Sequence, residues 1–424
     1  MKWNRLYFCG FFMLLLSCSP SGDNVADSLL NTSHLEHLYQ EVEIGGRLLG
    51  TIWIYCEAPD YKVVGDEDEG FTCVDDVARA LVFYCKQYQS NAEPAVLEKI
   101  QALTEFILYM QADNGYFYNF LLPDKEINRQ HRNSQAIPNW WSWRAFWALS
   151  EVNLLESDAL TELQSRALEA MEALIPNIEQ LCLGQEDILE VDGVKIPQCL
   201  AEVGADQMGV LMIGLANYHQ IWPSAAAKAL LLRFGNLLLA VQFGGRNTFP
   251  HGAFMSWRNN WHAWGNVQAY SLLHAGRALQ HQPFIEAGLK EVQYFYLYSL
   301  NQGFISGFKV VMQGDSLLMQ DDRQFPQIAY NIRPMVYASM EAFAVTGDTS
   351  YAHTAGELAS WFFGSNPAHQ QMYDPQSGRT YDGIGSPADV NNNSGAESTI
   401  EALLSIQAIT SSPVALEALK EMIK

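Results

Sequence analysis

Acidic, amide and indole side chains gather at the starts of expected helices, in combinations suited to proton transfer and sugar binding. Asp75-Asp76 opens one helix, Trp140-Trp141-Ser142-Trp143-Arg144 a second and Asp206 a third. Asn259-Asn260-Trp261-His262-Ala263-Trp264 introduces a fourth, Gln327-x-x-Tyr330-x-x-Arg333 a fifth, and Asn391 to Glu397 the last. A carboxylic acid facing a carboxylate can give and take protons. A flat indole with one polar edge suits stacking against a sugar ring. The plainer explanation for an acid in a first turn is capping and the helix dipole. It is strong for Asp206 and extends to Asp76 and Glu397, but it leaves the tryptophans unexplained. A lone helical tryptophan is more often core; Trp140, Trp141, Trp143, Trp257, Trp261 and Trp264 together point to a lined cleft.

The connectors explain how these positions meet. Very short returns (Gln89 to Glu93, Leu155 to Ser157, Trp222-Pro223, Gln280 to Gln282, Thr346 to Asp348) alternate with connectors of roughly 15 to 30 residues, where about 4 to 6 is usual. Such alternation predicts paired helices closed into a ring, an all-α (α/α)6 toroid of six helical hairpins with the long loops on one rim. Helices are expected from Ser33, where Ser33-x-x-Glu36 fits a capping box with Leu35, Leu38, Tyr39 and Val42 on one face. Further helices are expected near Asp75, from Pro94, and over Trp140 to Leu154, Asp158 to Leu181 and Asp206 to about Ile221. The rest follow Pro223, Asn260, Pro283, Pro326, Asp348 and Asn393, each with apolar residues at i, i+3, i+4 and i+7. Pro334 should bend the helix after Pro326 or mark its true start. Every second helix is expected in the inner ring, and several of these are apolar on more than one face, as buried helices should be. The inner-helix N-termini then face the long-loop rim.

The chain's start reads as an export signal. Lys2 and Arg5 precede the apolar run Leu6 to Leu16, and Leu15-Leu16-Ser17-Cys18 fits a bacterial lipoprotein box with Cys18 as the lipidated residue. The expected organisation is a lipoprotein signal at 1–18, a polar tether at 19–32 and one catalytic domain at 33–424. An exported lipoprotein of the outer membrane or cell surface follows, with the periplasmic face as an alternative; the lipid would be its sole membrane contact. A net charge of −22 over 424 residues argues against nucleic acid as a partner. Cys182 and Cys199 bracket one long loop and could staple it in an oxidising compartment, or remain buried thiols like Cys56, Cys73 and Cys85. No spacing resembles a structural zinc site, and neither metal nor cofactor is expected.

Two stretches carry a resemblance. Trp361-Phe362-Phe363-Gly364-x-Asn366-Pro367, Tyr373-Asp374-Pro375-x-x-Gly378-Arg379-x-Tyr381-Asp382-Gly383 and Val390-Asn391-x-Asn393-Ser394-Gly395-Ala396-Glu397-Ser398-Thr399 resemble the last hairpin of six-hairpin glycosidases, as at the end of family-nine glycoside hydrolases. Gly70-Phe71-x-Cys73-Val74-Asp75-Asp76-Val77-Ala78-Arg79-Ala80-Leu81 resembles the helical domain appended to some bacterial glycosyltransferases. The resemblance implies an inverting glycosidase acting on an oligo- or polysaccharide. Asp75 and Asp76 would supply and orient the base. Asp389 or Glu397, with Asp382 as a third choice, would supply the acid. Trp140, Trp141, Trp143, Arg144, Trp257, Arg258, Asn260, His262, Trp264, Tyr330, Arg333 and Asp382 would bind substrate.

Two alternatives belong to other classes. Arg258-Asn259-Asn260-Trp261-His262 with Tyr270 is similar to the amide, His and Tyr groups of toroidal polysaccharide lyases. Unsaturated uronyl hydrolases share the ambiguity, and rim arginines (Arg129, Arg132, Arg144, Arg246, Arg258, Arg323, Arg333, Arg379) could meet an acidic sugar. A non-catalytic glycan-binding lipoprotein is the other alternative; the Asp75-Asp76 pair counts against it.

Overall fold

The computed structural model describes residues 29–423. The leader at 1–18, the expected lipidation site Cys18 and most of the tether lie outside them. After a short α1 (Ser33–Leu38), the chain alternates inner and outer helices. The inner helices are α2 (Val74–Asn91), α4 (Trp140–Asn153), α7 (Ala205–Ile221), α9 (Gln268–Leu279), α12 (Ala329–Thr346) and α14 (Ala396–Thr410). Each packs on the next, and α14 packs back on α2, closing the ring. Outside run α3 (Pro94–Tyr109), α5 (Thr161–Gln180), α8 (Ala225–Leu239), α10 (Gln282–Lys290) continuing through a π turn into α11 (Leu297–Asn301), α13 (Thr349–Ala359) and α15 (Pro413–Met422). The short α6 (Gln198–Val203) leads into α7. The (α/α)6 toroid is therefore the fold, and among the described residues strands form only small antiparallel sheets of two or three strands in the connectors.

The helices form where sequence chemistry favours them. Inner α2 buries Val74, Val77, Ala78, Leu81, Val82 and Cys85, while outer α3 starts on Pro94 and turns Ile100, Leu103, Phe106 and Ile107 inward. Side chains of Asn139, Ser224, Asp348 and Ser412 cap α4, α8, α13 and α15. Among the described residues no single helix is long and apolar enough to cross a membrane.

Several sequence expectations need correction. α1 ends at Leu38; Tyr39 and Val42 lie in the strand Tyr39–Ile44, which pairs with Arg47–Ile52. The capping box does not form, because Thr32 is the N-cap without a side-chain bond and the Ser33 N–H donates to Asn31 Oδ1. The outer ring is completed by α15, whose start signal Ser412-Pro413 follows α14 so closely that the pair reads as one segment. Asn260–His262 forms a strand against Gly307–Lys309, so α9 begins only at Gln268. α12 starts at Ala329 and runs through Pro334, which therefore does not mark its beginning. The last tether residues are docked: Leu29 O accepts from the Tyr373 hydroxyl at 2.8 Å, and the Asn31 amide donates to Pro375 O and Gln376 O. Cys182 and Cys199 form a disulfide across the connector before α7; Cys56, Cys73 and Cys85 are buried free thiols.

Candidate active site

The start of α2 is set by its flanking strand. Thr72–Cys73 pairs with Phe120–Leu121, fixing Cys73 in extended backbone. The Asp76 N–H donates to Cys73 Sγ at 3.4 Å, and Sγ–H donates to Asp76 Oδ2 at 3.2 Å. The Asp75 N–H donates to Asn119 Oδ1 at 3.1 Å. Successive residues of a helix point about 100° apart, so the two aspartates part company. Asp76 turns inward and is 4% exposed, whereas the Asp75 side chain keeps 22% of its surface open.

One turn on, Arg79 gathers three carboxylates. Nη1 meets Asp76 at 2.8 Å, Nη2 meets Glu397 at 2.7 Å and Nε meets Glu401 at 2.9 Å. Glu397 and Glu401 stand at i and i+4 on α14, hence on one face. Arg333 of α12 donates from Nε to Glu401 Oε2 at 2.6 Å. Arg144 of α4 donates to the Tyr330 hydroxyl at 2.7 Å. Its Nη1 lies 2.6 Å from Asp75 Oδ1, close enough for charge pairing but not aligned as a hydrogen bond. Three guanidiniums, of Arg79, Arg144 and Arg333, pack on the Tyr330 ring at 4.9–5.3 Å. Four acids thus face three arginines in one buried network, and strong binding of a further anion has little free positive charge to draw on.

Above this network opens a cleft of about 380 Å³. Asp75, Arg79, Arg144 and Glu397 form its polar floor, while Trp140, Trp264, Ile328 and Tyr330 wall it. Its size falls in the range of small-molecule sites, about 300–1,000 Å³. The Glu397 carboxyl is raised to about 6 because desolvation outweighs the opposing Arg79 charge. The Asp76 and Glu401 charges add to that rise, while 42% of the side chain stays exposed at the cleft. Burial also raises Asp76, against the pull of Arg79.

The other expected site residues divide clearly. Asp389 is exposed on a tight hairpin, Gly383–Ser386 with Asp389–Asn391, away from the cleft lining. Asp382 accepts from the Gly395 N–H at 2.8 Å and the Ser398 hydroxyl at 2.6 Å, fastening the start of α14; burial raises its carboxyl. Of the tryptophans, Trp140 and Trp264 line the cleft, with ring centroids 5.9 Å apart. Trp141, Trp143 and Trp261 are buried core: the Trp141 indole N–H donates to Phe117 O, Trp143 packs on Tyr116, and Trp261 stacks on Phe308. Trp257 is exposed, carries Arg258 over its ring and donates to Ala201 O. Asn260 lies in the strand pair with Lys309 and lines a separate depression with Phe308 and Arg323. His262 stacks on Trp264 at 3.7 Å, with Nδ1 on Trp264 O and Nε2 3.0 Å from Asp206 Oδ2. Tyr270, six per cent exposed, faces Lys86 and Tyr337 in another cavity, so the His and Tyr groups of a lyase are not brought together. Arg333 is buried beneath the cleft, and among the eight rim arginines only Arg144 lines it.

Arg79, Glu401, Cys73 and Asn119 were not anticipated. The spacings Asp76-x-x-Arg79 and Glu397-x-x-x-Glu401, charged positions on otherwise apolar inner helices, were the available signal.

No protein-family model and no curated protein matches the sequence. Solved structures match the fold. A cellobiose 2-epimerase from Bacillus thermoamylovorans superposes with a TM-score of 0.63 at 9% identity, covering 92% of this chain and 99% of that one. An inactive α-1,6-mannanase variant of glycoside hydrolase family 76 from a Salegentibacter species, bound to α-1,6-mannotetrose, gives 0.54 at 10% identity, covering 91% and 98%. A polysaccharide lyase gives 0.52 at 12% identity, covering 82% and 92%. These similarities establish the six-hairpin fold and do not single out family nine.

Proposed function

We propose that this chain is a glycoside hydrolase that cleaves an oligo- or polysaccharide by inversion, with Glu397 as general acid and Asp75 as general base. The observation that carries this reading is that Asp75 and Glu397, from the first and last inner helices, open onto one cleft walled by Trp140 and Trp264. Glu397 is raised to about 6, so a fraction is protonated near neutral pH and can donate to a leaving oxygen. Asp75 beside the Arg144 guanidinium is placed to take a proton from water. Asp76 acts through Arg79, holding that guanidinium against Glu397. The adjoining indoles of Trp140 and Trp264 offer one apolar wall for a sugar ring to stack against.

The similar mannanase was inactivated by replacing two consecutive aspartates, and this chain also carries consecutive aspartates at the start of α2, with Asp75 lining the cleft and Asp76 buried behind it on Arg79. That parallel supports carbohydrate chemistry; the linkage and the sugar rest on experiment. The fold is shared by epimerases and a lyase, so the deciding experiment identifies products. New reducing ends with inverted anomeric configuration are expected from a screen of neutral and uronate-containing glycans. A 2-epimer without hydrolysis, or an unsaturated uronide, would overturn the hydrolase reading. Export as a lipoprotein anchored through Cys18 is part of the same proposal and would place the enzyme where polymeric glycans are met.

A further inference from the structure

The toroid has a second mouth, at the C-terminal ends of the inner helices. There a cavity of about 450 Å³ opens between α2, α12 and α14. It lies beyond the buried network under the cleft. Tyr330, Arg333 and Tyr337 stand at i, i+3 and i+7 on α12, one above another. Tyr330 lines the cleft, Arg333 packs between both tyrosine rings, and Tyr337 lines the far cavity with Lys86 over its ring at 5.9 Å. The two cavities thus share the ring axis, divided by the Arg333–Glu401 pair.

The far cavity carries polar groups that the protein leaves unanswered. Tyr337 is 5% exposed and its hydroxyl has no partner. Gln407 donates to Phe83 O, but its own carbonyl oxygen is buried without a donor. Lys86 stands 3.7 Å from Glu151, beyond hydrogen-bond distance, and its side chain is 28% exposed. A buried hydroxyl or amide oxygen left unpaired costs free energy and calls for a missing partner. Charge is already balanced locally: Lys86 faces Glu151, and Glu341 is held by Arg277 at 2.7 Å and His274 at 3.5 Å. Unmet donors beside an unmet acceptor, with charges compensated and the Tyr270 and Tyr337 rings in the wall, suit a neutral ligand whose hydroxyls both give and accept.

We infer that this far mouth is a second, non-catalytic binding site for a neutral mono- or disaccharide. Its recognition set is Lys86, Tyr270, Tyr337 and Gln407. No residue of the Asp75–Glu397 cleft takes part, so the inference stands or falls separately from the glycosidase reading.

The test uses the purified chain and three probes, methyl α-mannopyranoside, methyl β-glucopyranoside and cellobiose, followed by saturation-transfer NMR and calorimetry. Tyr337→Phe removes a hydroxyl without breaking any internal hydrogen bond, so the fold should be untouched. It is expected to weaken the responding probe roughly two- to tenfold, the effect of one net hydrogen bond. Lys86→Met should weaken it at least as much, while Trp264→Ala in the cleft should leave this binding in place. Cross-saturation of α12 and α14 C-terminal amides by the probe would locate it. Failure of all three probes to bind would overturn the inference. So would binding that ignores Tyr337→Phe and Lys86→Met, or that disappears with Trp264→Ala.

Discussion

Replacing Arg79 by methionine removes the one cation shared by Asp76, Glu397 and Glu401, and the three acids should not suffer equally. Glu401 keeps Arg333 at 2.6 Å. Glu397, with 42% of its side chain exposed, regains water, so its share of the loss is discounted. Asp76, only 6% exposed at its side chain, keeps the Cys73 thiol at 3.2 Å as its side-chain hydrogen-bond partner and only the weaker pull of Arg144 as counter-charge. Orphaning one member of a buried pair costs about 3–5 kcal/mol, and most of that should come from Asp76. Adding Asp76→Asn to Arg79→Met discharges the orphan and should recover most of the loss. Urea unfolding at neutral pH measures both variants through midpoint and slope. The deficit of the single variant should shrink on acidification, because protonation neutralises Asp76. A single variant within about 1 kcal/mol of the parent, or a double variant less stable than the single, would refute the reasoning.

Three further outcomes are expected. Glu291 is fully buried, accepting from the Phe254 N–H at 2.8 Å and the Tyr296 hydroxyl at 3.3 Å, and burial raises its carboxyl from 4.5 to about 8. A raised carboxyl stabilises the fold below its unfolded pKa and loses that contribution as pH climbs through its folded one. Stability should therefore fall between pH 4.5 and about 8, and Glu291→Gln should flatten that difference by several kcal/mol; parallel pH profiles for the two proteins would contradict it. Trp264→Ala should raise KM by roughly three- to tenfold with a smaller change in kcat, as loss of one aromatic contact implies; an unchanged KM would exclude stacking there. Cys18→Ala should release soluble protein or leave an uncleaved precursor, whereas normal processing with unchanged membrane retention would exclude lipidation.

The ring was legible because long and short connectors alternate and because inner helices lack a polar face. Boundaries were less so. Ser33-x-x-Glu36 has the letters of a capping box, yet the strand pair after Leu38 took Tyr39 and Val42. Asn260 to Trp264 looked like a helix start, but pairing with Gly307–Lys309 was decided by a strand almost 50 residues away. Types and placement put Asp75, Glu397, Trp140, Arg144 and Trp264 on one rim, and these residues line one cleft. Trp141, Trp143 and Trp261 were not separable from them, since a tryptophan's facing depends on one-residue shifts in helix phase that periodicity does not resolve. Between Asp389 and Glu397 the sequence left the choice open; the hairpin leaves Asp389 in solvent, while the start of α14 places Glu397 at the cleft. No role was assigned to Arg79 or Glu401, because the pairs Arg79–Glu397 and Arg79–Glu401 join residues 318 and 322 positions apart that only tertiary contact brings together.

The most direct test of the active-site assignment is single-turnover kinetics of Asp75→Asn and Glu397→Gln on the glycan found by product screening, with unfolding midpoints recorded beside the rates. Each variant should keep its fold and lose about 10²–10⁴-fold in kcat, and Glu397→Gln should abolish the fall in rate as pH rises through about 6. Full activity in either variant, with His262→Ala abolishing turnover instead, would contradict it.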